Sequence, residues 1–224
     1  MPLATGASAQ ALNALANVAP GTNLIGWASL HNAYSTTGAN ELPTTGFTPN
    51  YARVAVSWQT PTSTSQLALV SSPLPSPHNV PPGSTVAFIG LWSLQTGGTF
   101  AGMGANGGFT QYAFTSTAHT GTPADTLVAP GNPYTAGQQV ITLAGQTAAA
   151  NQYPSGLTVG QVYFVINPGS GATAGQFQLS TSAGGSAVNL GSAAGAGIVQ
   201  AIALETFTGV NGTFQLNSDT LTVI

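Results

Sequence analysis

The chain has 224 residues, and only 2% of them are charged, against about a quarter in an ordinary soluble domain. Its one cation is Arg53, and its carboxylates, Glu41, Asp125, Glu205 and Asp219, are scattered rather than clustered. So thin a charge argues against nucleic acid as a partner, because phosphate contacts need several Lys or Arg, and against polybasic attachment to a membrane.

The spacing in "ASAQALNALANVA", residues 7–19, places Ala7, Ala11, Leu12, Leu15 and Val18 on one helical face before Pro20 and Gly21, which predicts one N-terminal helix. With no Lys or Arg ahead of its apolar part, this stretch does not read as a secretory signal. Beyond it, short β-branched and aromatic runs between Gly, Pro, Ser, Thr and Asn predict an all-β fold. Strands are expected over 23–31, 51–58, 66–70, 78–80, 85–92 and 99–103. In "YARVAVSW", alternation places Ala52, Val54, Val56 and Trp58 on a core face and Tyr51, Arg53, Ala55 and Ser57 on the other. "STVAFIGLW" is apolar nearly throughout, which suits a strand covered on both sides, with Gly90 marking a bulge or a close backbone approach.

Composition shifts over residues 115–203, where Asp125 is the only charge. "GQVYFVINP" and "AGQFQLSTSAGG" read as strands joined by a turn, and "AAGAGIVQAIAL" as a closing strand. "ETFTGVNGTFQLNSDTLTVI" then resumes the character of the first half of the chain, with Val-Asn-Gly-Thr as a turn between Thr/Phe strands. The expected architecture is therefore a jelly-roll-like β-sandwich made of residues 1–112 plus 204–224. A small β domain, 113–203, is inserted in a surface loop and projects outward. Two tandem domains are the alternative.

The longest apolar runs, such as 86–92, are far short of the roughly 20 residues a membrane span needs. Without Cys there is no disulfide framework and no thiolate metal site. Few charges mean weak repulsion between copies, so this surface suits a chain covered by neighbours in an assembly.

Candidate sites are sparse. His31, His78 and His119 lie far apart in sequence, so no acid/base set is visible, although His31 at a strand end can bond backbone and hold the loop after it. Neither a metal-ligand spacing nor a phosphate loop occurs, and no cofactor is expected. Trp27, Trp58 and Trp92 fall in the strands with the strongest core pattern. Glu41 and Arg53 flank "LPTTGFTPN", a Gly/Pro loop whose ends should return together, and they are expected to form a structural ion pair clamping it.

The ordered segments "SLHNAYSTTGANEL", "YARVAVSW", "VPPGSTVAFIGLWS", "GGTFAGMG" and "ETFTGVNGTFQLNSDTLTV" resemble a family of small virion proteins of tailed bacteriophages, especially those infecting actinobacteria. The resemblance covers residues 21–112 and 204–224. The segment "PSGLTVGQVYFVINPGSGATAGQFQLSTSAGGSAVNL" is similar to a small β module recurring in phage tail and surface proteins, over about residues 115–202. One departure is that family members usually carry a polar residue or His before Gly-Leu-Trp, where this chain has Phe88 and Ile89. The resemblance implies a non-enzymatic structural protein, made in the host cytoplasm and carried on the virion surface. The expected role is capsid decoration, binding the major capsid protein as a symmetric homo-oligomer such as a trimer, with residues 1–20 as an arm to a neighbour. The alternative is a minor tail or fibre protein whose insert binds host glycan, with Tyr134 or Tyr163 as the exposed aromatic contact.

Overall fold

The computed structural model describes residues 25–58, 66–68, 74–107, 110–116, 124–144, 153–169, 174–191, 194–217 and 220–222. The predicted helix, His119 and Asp219 lie outside these residues. Every regular element among the described residues is a strand, so the described fold is all-β. The chain divides into two compact units, Met1–Gly104 with Leu204–Ile224, and Ala105–Ala203.

The first unit begins with β1 (Trp27–His31), β2 (Val54–Ala55), β3 (Gln66–Ala68), β4 (His78–Val80), β5 (Thr85–Val86), β6 (Phe88–Trp92) and β7 (Phe100–Ala105). A four-stranded sheet has the order β2-β1-β6-β7, and β1 runs antiparallel to β6 with Ser29 opposite Gly90 and His31 opposite Phe88. The apolar run over 85–92 is divided at Ala87, whose N–H donates to the His31 carbonyl at 2.9 Å. The chain changes partner there, so one sequence run yields two strands. The 51–58 segment departs from simple alternation. Only Val54 and Ala55 join the ladder with β1, Tyr51 is buried although alternation assigns it to the outer face, and Ala52 is exposed. Alternation holds only at its end, where Val56 and Trp58 are buried around exposed Ser57.

The second unit comprises β8 (Gln111–Ser116), β9 (Leu127–Val128), β10 (Gln139–Leu143), β11 (Val162–Ile166), β12 (Gln176–Ser180) and β13 (Ala196–Ala201). These close into a barrel in the order β10-β11-β12-β9-β8-β13, each neighbour pair antiparallel. The period-2 pattern of strands sends Tyr163 and Val165, Phe177 and Leu179, and Val140 inward, where they meet Phe114, Leu127 and Val199. Gly197 leaves room for the Phe114 ring, since a Cβ there would lie 2.7 Å from its Cζ. Where the chain enters and leaves this unit, the Ala203 N–H donates to the Asn106 carbonyl at 2.7 Å, so the two passes run side by side.

The chain then returns to the first unit as β14 (Glu205–Thr206), β15 (Gly212–Phe214) and β16 (Thr220–Thr222). These pair with β5, β4 and β3 in turn, all antiparallel. The Val-Asn-Gly stretch is therefore not the turn of a hairpin. β14 and β15 are successive pieces of one interrupted ribbon, because each finds its partner in residues 66–86 rather than in the other.

Candidate functional site

Loop 32–41 folds back beside β1: the Asn32 N–H donates to Asn40 O and the Leu42 N–H to Leu30 O. This return brings Glu41 opposite His31 as an isolated antiparallel bridge. Arg53, one residue before β2, grips the Glu41 carboxylate with two nitrogens, Nε to Oε1 at 2.9 Å and Nη2 to Oε2 at 2.8 Å. Its Nη1 donates to the carbonyls of Leu94 and Gly97 at 3.1 and 2.6 Å, and the guanidinium carbon lies 3.5 Å from the centre of a Trp92 ring. The two side chains are only 10% and 17% exposed. A two-pronged, stacked contact of this kind requires the planar fork of arginine. Glu41 and Arg53 thus meet as the sequence predicts, and the pair ties the loop to the turn between β6 and β7 as well.

Tyr51 extends the cluster. Its hydroxyl accepts from the Leu30 N–H at 2.8 Å and donates to Glu41 Oε1 at 3.1 Å. Burial first, and then the adjacent carboxylate, push its ionisation far above the ordinary tyrosine range.

His31 sits within the sheet, fully buried, and its hydrogen bonds fix its tautomer. A carbonyl can only accept, so Nδ1 carries the proton donated to Ala39 O at 2.9 Å. The Trp92 indole N–H can only donate, and it meets Ser29 Oγ at 2.8 Å. The Ser29 hydroxyl is then free to donate to His31 Nε2 at 2.6 Å. Gly90 makes this arrangement possible by close approach rather than by a bulge. Its register opposite Ser29 is regular, and a Cβ there would lie 2.5 Å from both Ser29 Oγ and His31 Nε2. His78, on β4, donates from Nε2 to Ala28 O at 3.1 Å and stacks on the Tyr51 ring at 6.1 Å. Burial is the main cause that holds both imidazoles below their ordinary value.

The remaining predicted residues lie elsewhere. Tyr134 and Tyr163 are 6% and 1% exposed and belong to the barrel core, so neither offers a ring face to a sugar; this corrects the expectation of an exposed aromatic contact. Their hydroxyls are engaged inside, Tyr134 donating to Val199 O and Tyr163 accepting from the Thr158 N–H. Trp58 and Trp92 are buried, while Trp27 is half-buried. Buried Asp125 accepts from the Leu190 N–H at 2.8 Å, and Glu205 is exposed on β14. Among the described residues no three His, Asp or Glu side chains gather into a metal-binding group.

The hub joins β1, loop 32–41, β4 and β6 through polar atoms paired with one another, His78 Nδ1 excepted. Sequence reasoning finds Glu41, Arg53 and the strand-end role of His31. It misses Tyr51, Ser29 and His78; two-residue spacing is a signal only for Ser29, which shares a face of β1 with His31, and nothing local marks the other two. No family model matches the chain, and comparisons with curated proteins and with solved structures find no match either.

Proposed function

We propose that this protein is a non-enzymatic structural component of a tailed-phage virion, a capsid decoration protein that adds buried contact between capsomers. The observation that carries this reading is where the family-like segments fall in the fold. "SLHNAYSTTGANEL" supplies Ser29, His31 and Glu41, "YARVAVSW" supplies Tyr51 and Arg53, and "FIGLW" supplies Gly90 and Trp92. The resemblance thus rests on residues that stiffen a β unit from inside, which is what a component of a lattice under internal pressure requires.

The surface fits the same role. Arg53 is engaged internally with Glu41, so the described surface offers a partner backbone, hydroxyl and amide groups more than charge. In this reading the first unit is the jelly-roll-like attachment domain, a homo-oligomer seated on the major capsid protein. The barrel is the inserted module, entered and left where Asn106 and Ala203 meet.

Quantitative mass spectrometry of purified virions tests the proposal through the copy number relative to the major capsid protein. Hundreds of copies per particle are expected. A handful would move the protein to the tail, and its absence from the particle would overturn a virion role altogether.

A further inference from the structure

We propose that His31 and His78 form an acid-operated release in the first unit, in which protonation of the two rings opens the hub that ties loop 32–41 and the β4–β15 ribbon to the sheet. Both rings are buried and are hydrogen-bonded as neutral imidazoles. His31 has both nitrogens committed, donating to Ala39 O and accepting from Ser29. A second proton on Nε2 would make the Ser29 hydroxyl accept from both His31 and Trp92 and deprive its own O–H of the acceptor it has, with the Gly90 backbone close by. His78 donates to Ala28 O, packs flat against Tyr51 and meets the Phe214 ring at 6.4 Å edge-on. Its Nδ1 makes no well-formed hydrogen bond; the Phe214 backbone beside it favours a proton there, but burial of the ring opposes the charge more strongly.

No nearby charge is available to balance the added protons. Glu41 and Arg53 are the charged groups felt at His31, and Glu41 is the one felt at His78. Those two are already paired with each other, and Tyr51, the titratable group between His78 and Glu41, is held neutral by its burial. Each proton taken up would therefore leave an unmatched positive charge in a dry site, which costs far more than the same charge in water. Both rings act on one network, since Tyr51 touches His78 with its ring and Glu41 with its hydroxyl.

The sign follows from linkage. The unfolded chain takes up these protons near the ordinary value of 6.5, and the folded unit resists them until lower pH. Stability is thus complete above pH 6.5 and falls as the pH drops below it. One ring lowers the folding constant by up to about tenfold per pH unit, and the two together by up to about a hundredfold.

The protein carries its own reporter. All three tryptophans, Trp27, Trp58 and Trp92, belong to the first unit, so indole emission follows that unit alone. Urea unfolding of the full chain is followed by this emission from about pH 7.5 to about pH 5, above the ordinary carboxylate range. The expected result is a folding constant that falls below pH 6.5 with a slope that rises toward, and does not exceed, two protons. His31→Asn and His78→Gln should each remove about half of the slope, and the double variant should flatten it. A flat profile for the unmodified chain overturns the proposal, as does a slope that survives in the double variant or vanishes in His119→Gln. Should the variants not fold, imidazole carbon-bound proton shifts of the unmodified chain decide. Both rings should stay neutral below pH 6.5 until the indole signal moves, and titration at the ordinary value inside a folded unit overturns the proposal.

Discussion

The two units solve the problem of closing a β structure in opposite ways. In the barrel every strand is paired on both sides around an apolar cluster, in which the Tyr134 ring is set edge-on to Tyr112 and Phe177. Among its described residues the first unit does not close: one sheet is accompanied by short two-stranded pieces. Side chains take over the connecting role there, as Arg53 alone reaches a loop, a turn and a strand residue. A barrel distributes its cohesion over a ring of backbone hydrogen bonds. The open unit concentrates it in a few polar side chains, and concentrated cohesion is easier to lose at a single position.

The contrast can be broken from either side. The largest effect is expected in the barrel from Phe177→Ala, which empties a site with 0% exposure and should cost about 4 kcal/mol. If the units are independent, calorimetry will show the barrel transition moving while the indole-reported transition stays in place. A shift of both by similar amounts would show one cooperative molecule. Arg53→Ala comes next: it strands Glu41 in a mostly buried place and should lower the stability of the first unit by about 3 kcal/mol, measured by urea and indole emission. An unchanged midpoint would mean that the hub is ornamental, whereas a comparable loss in Glu41→Ala would confirm a mutual clamp. The smallest effect belongs to Tyr51→Phe, which keeps the ring against His78 but removes one donor to Glu41 and leaves the Leu30 N–H without its side-chain acceptor. About 1 to 2 kcal/mol is expected, in the first unit alone.

Legibility in the sequence follows distance along the chain. "HNV" is bounded to the residue as β4, and "VYFVI" and "QFQLS" are recognisable as a strand pair because their alternation and connecting turn are local. β8 is not recognisable as a barrel strand, since one partner, β13, lies about eighty residues downstream, the other, β9, is only two residues long, and nothing within "QYAFTS" names either. The break at Ala87 is hidden for the same reason: a continuous apolar run says that a segment is covered, not that its partner changes midway. The ion pair is legible because charges are so few that Glu41 and Arg53 have only each other nearby. Tyr51 is misplaced because period-2 alternation does not extend to residues that precede the ladder.

The interrupted ribbon also sets a calendar for the newborn chain. As the ribosome releases the polypeptide in order, β8–β13 are all present before β14 is made, so the barrel can close while the first unit still waits. Residues 66–86 meanwhile have their backbone groups open along the line that β14–β16 will later occupy. A nascent chain halted after β13 would be a finished bead on an unfinished thread, prone to pair with the wrong strand. Completion of the first unit is thereby tied to translation of its last strands, and an incomplete copy is marked by its own exposed edges.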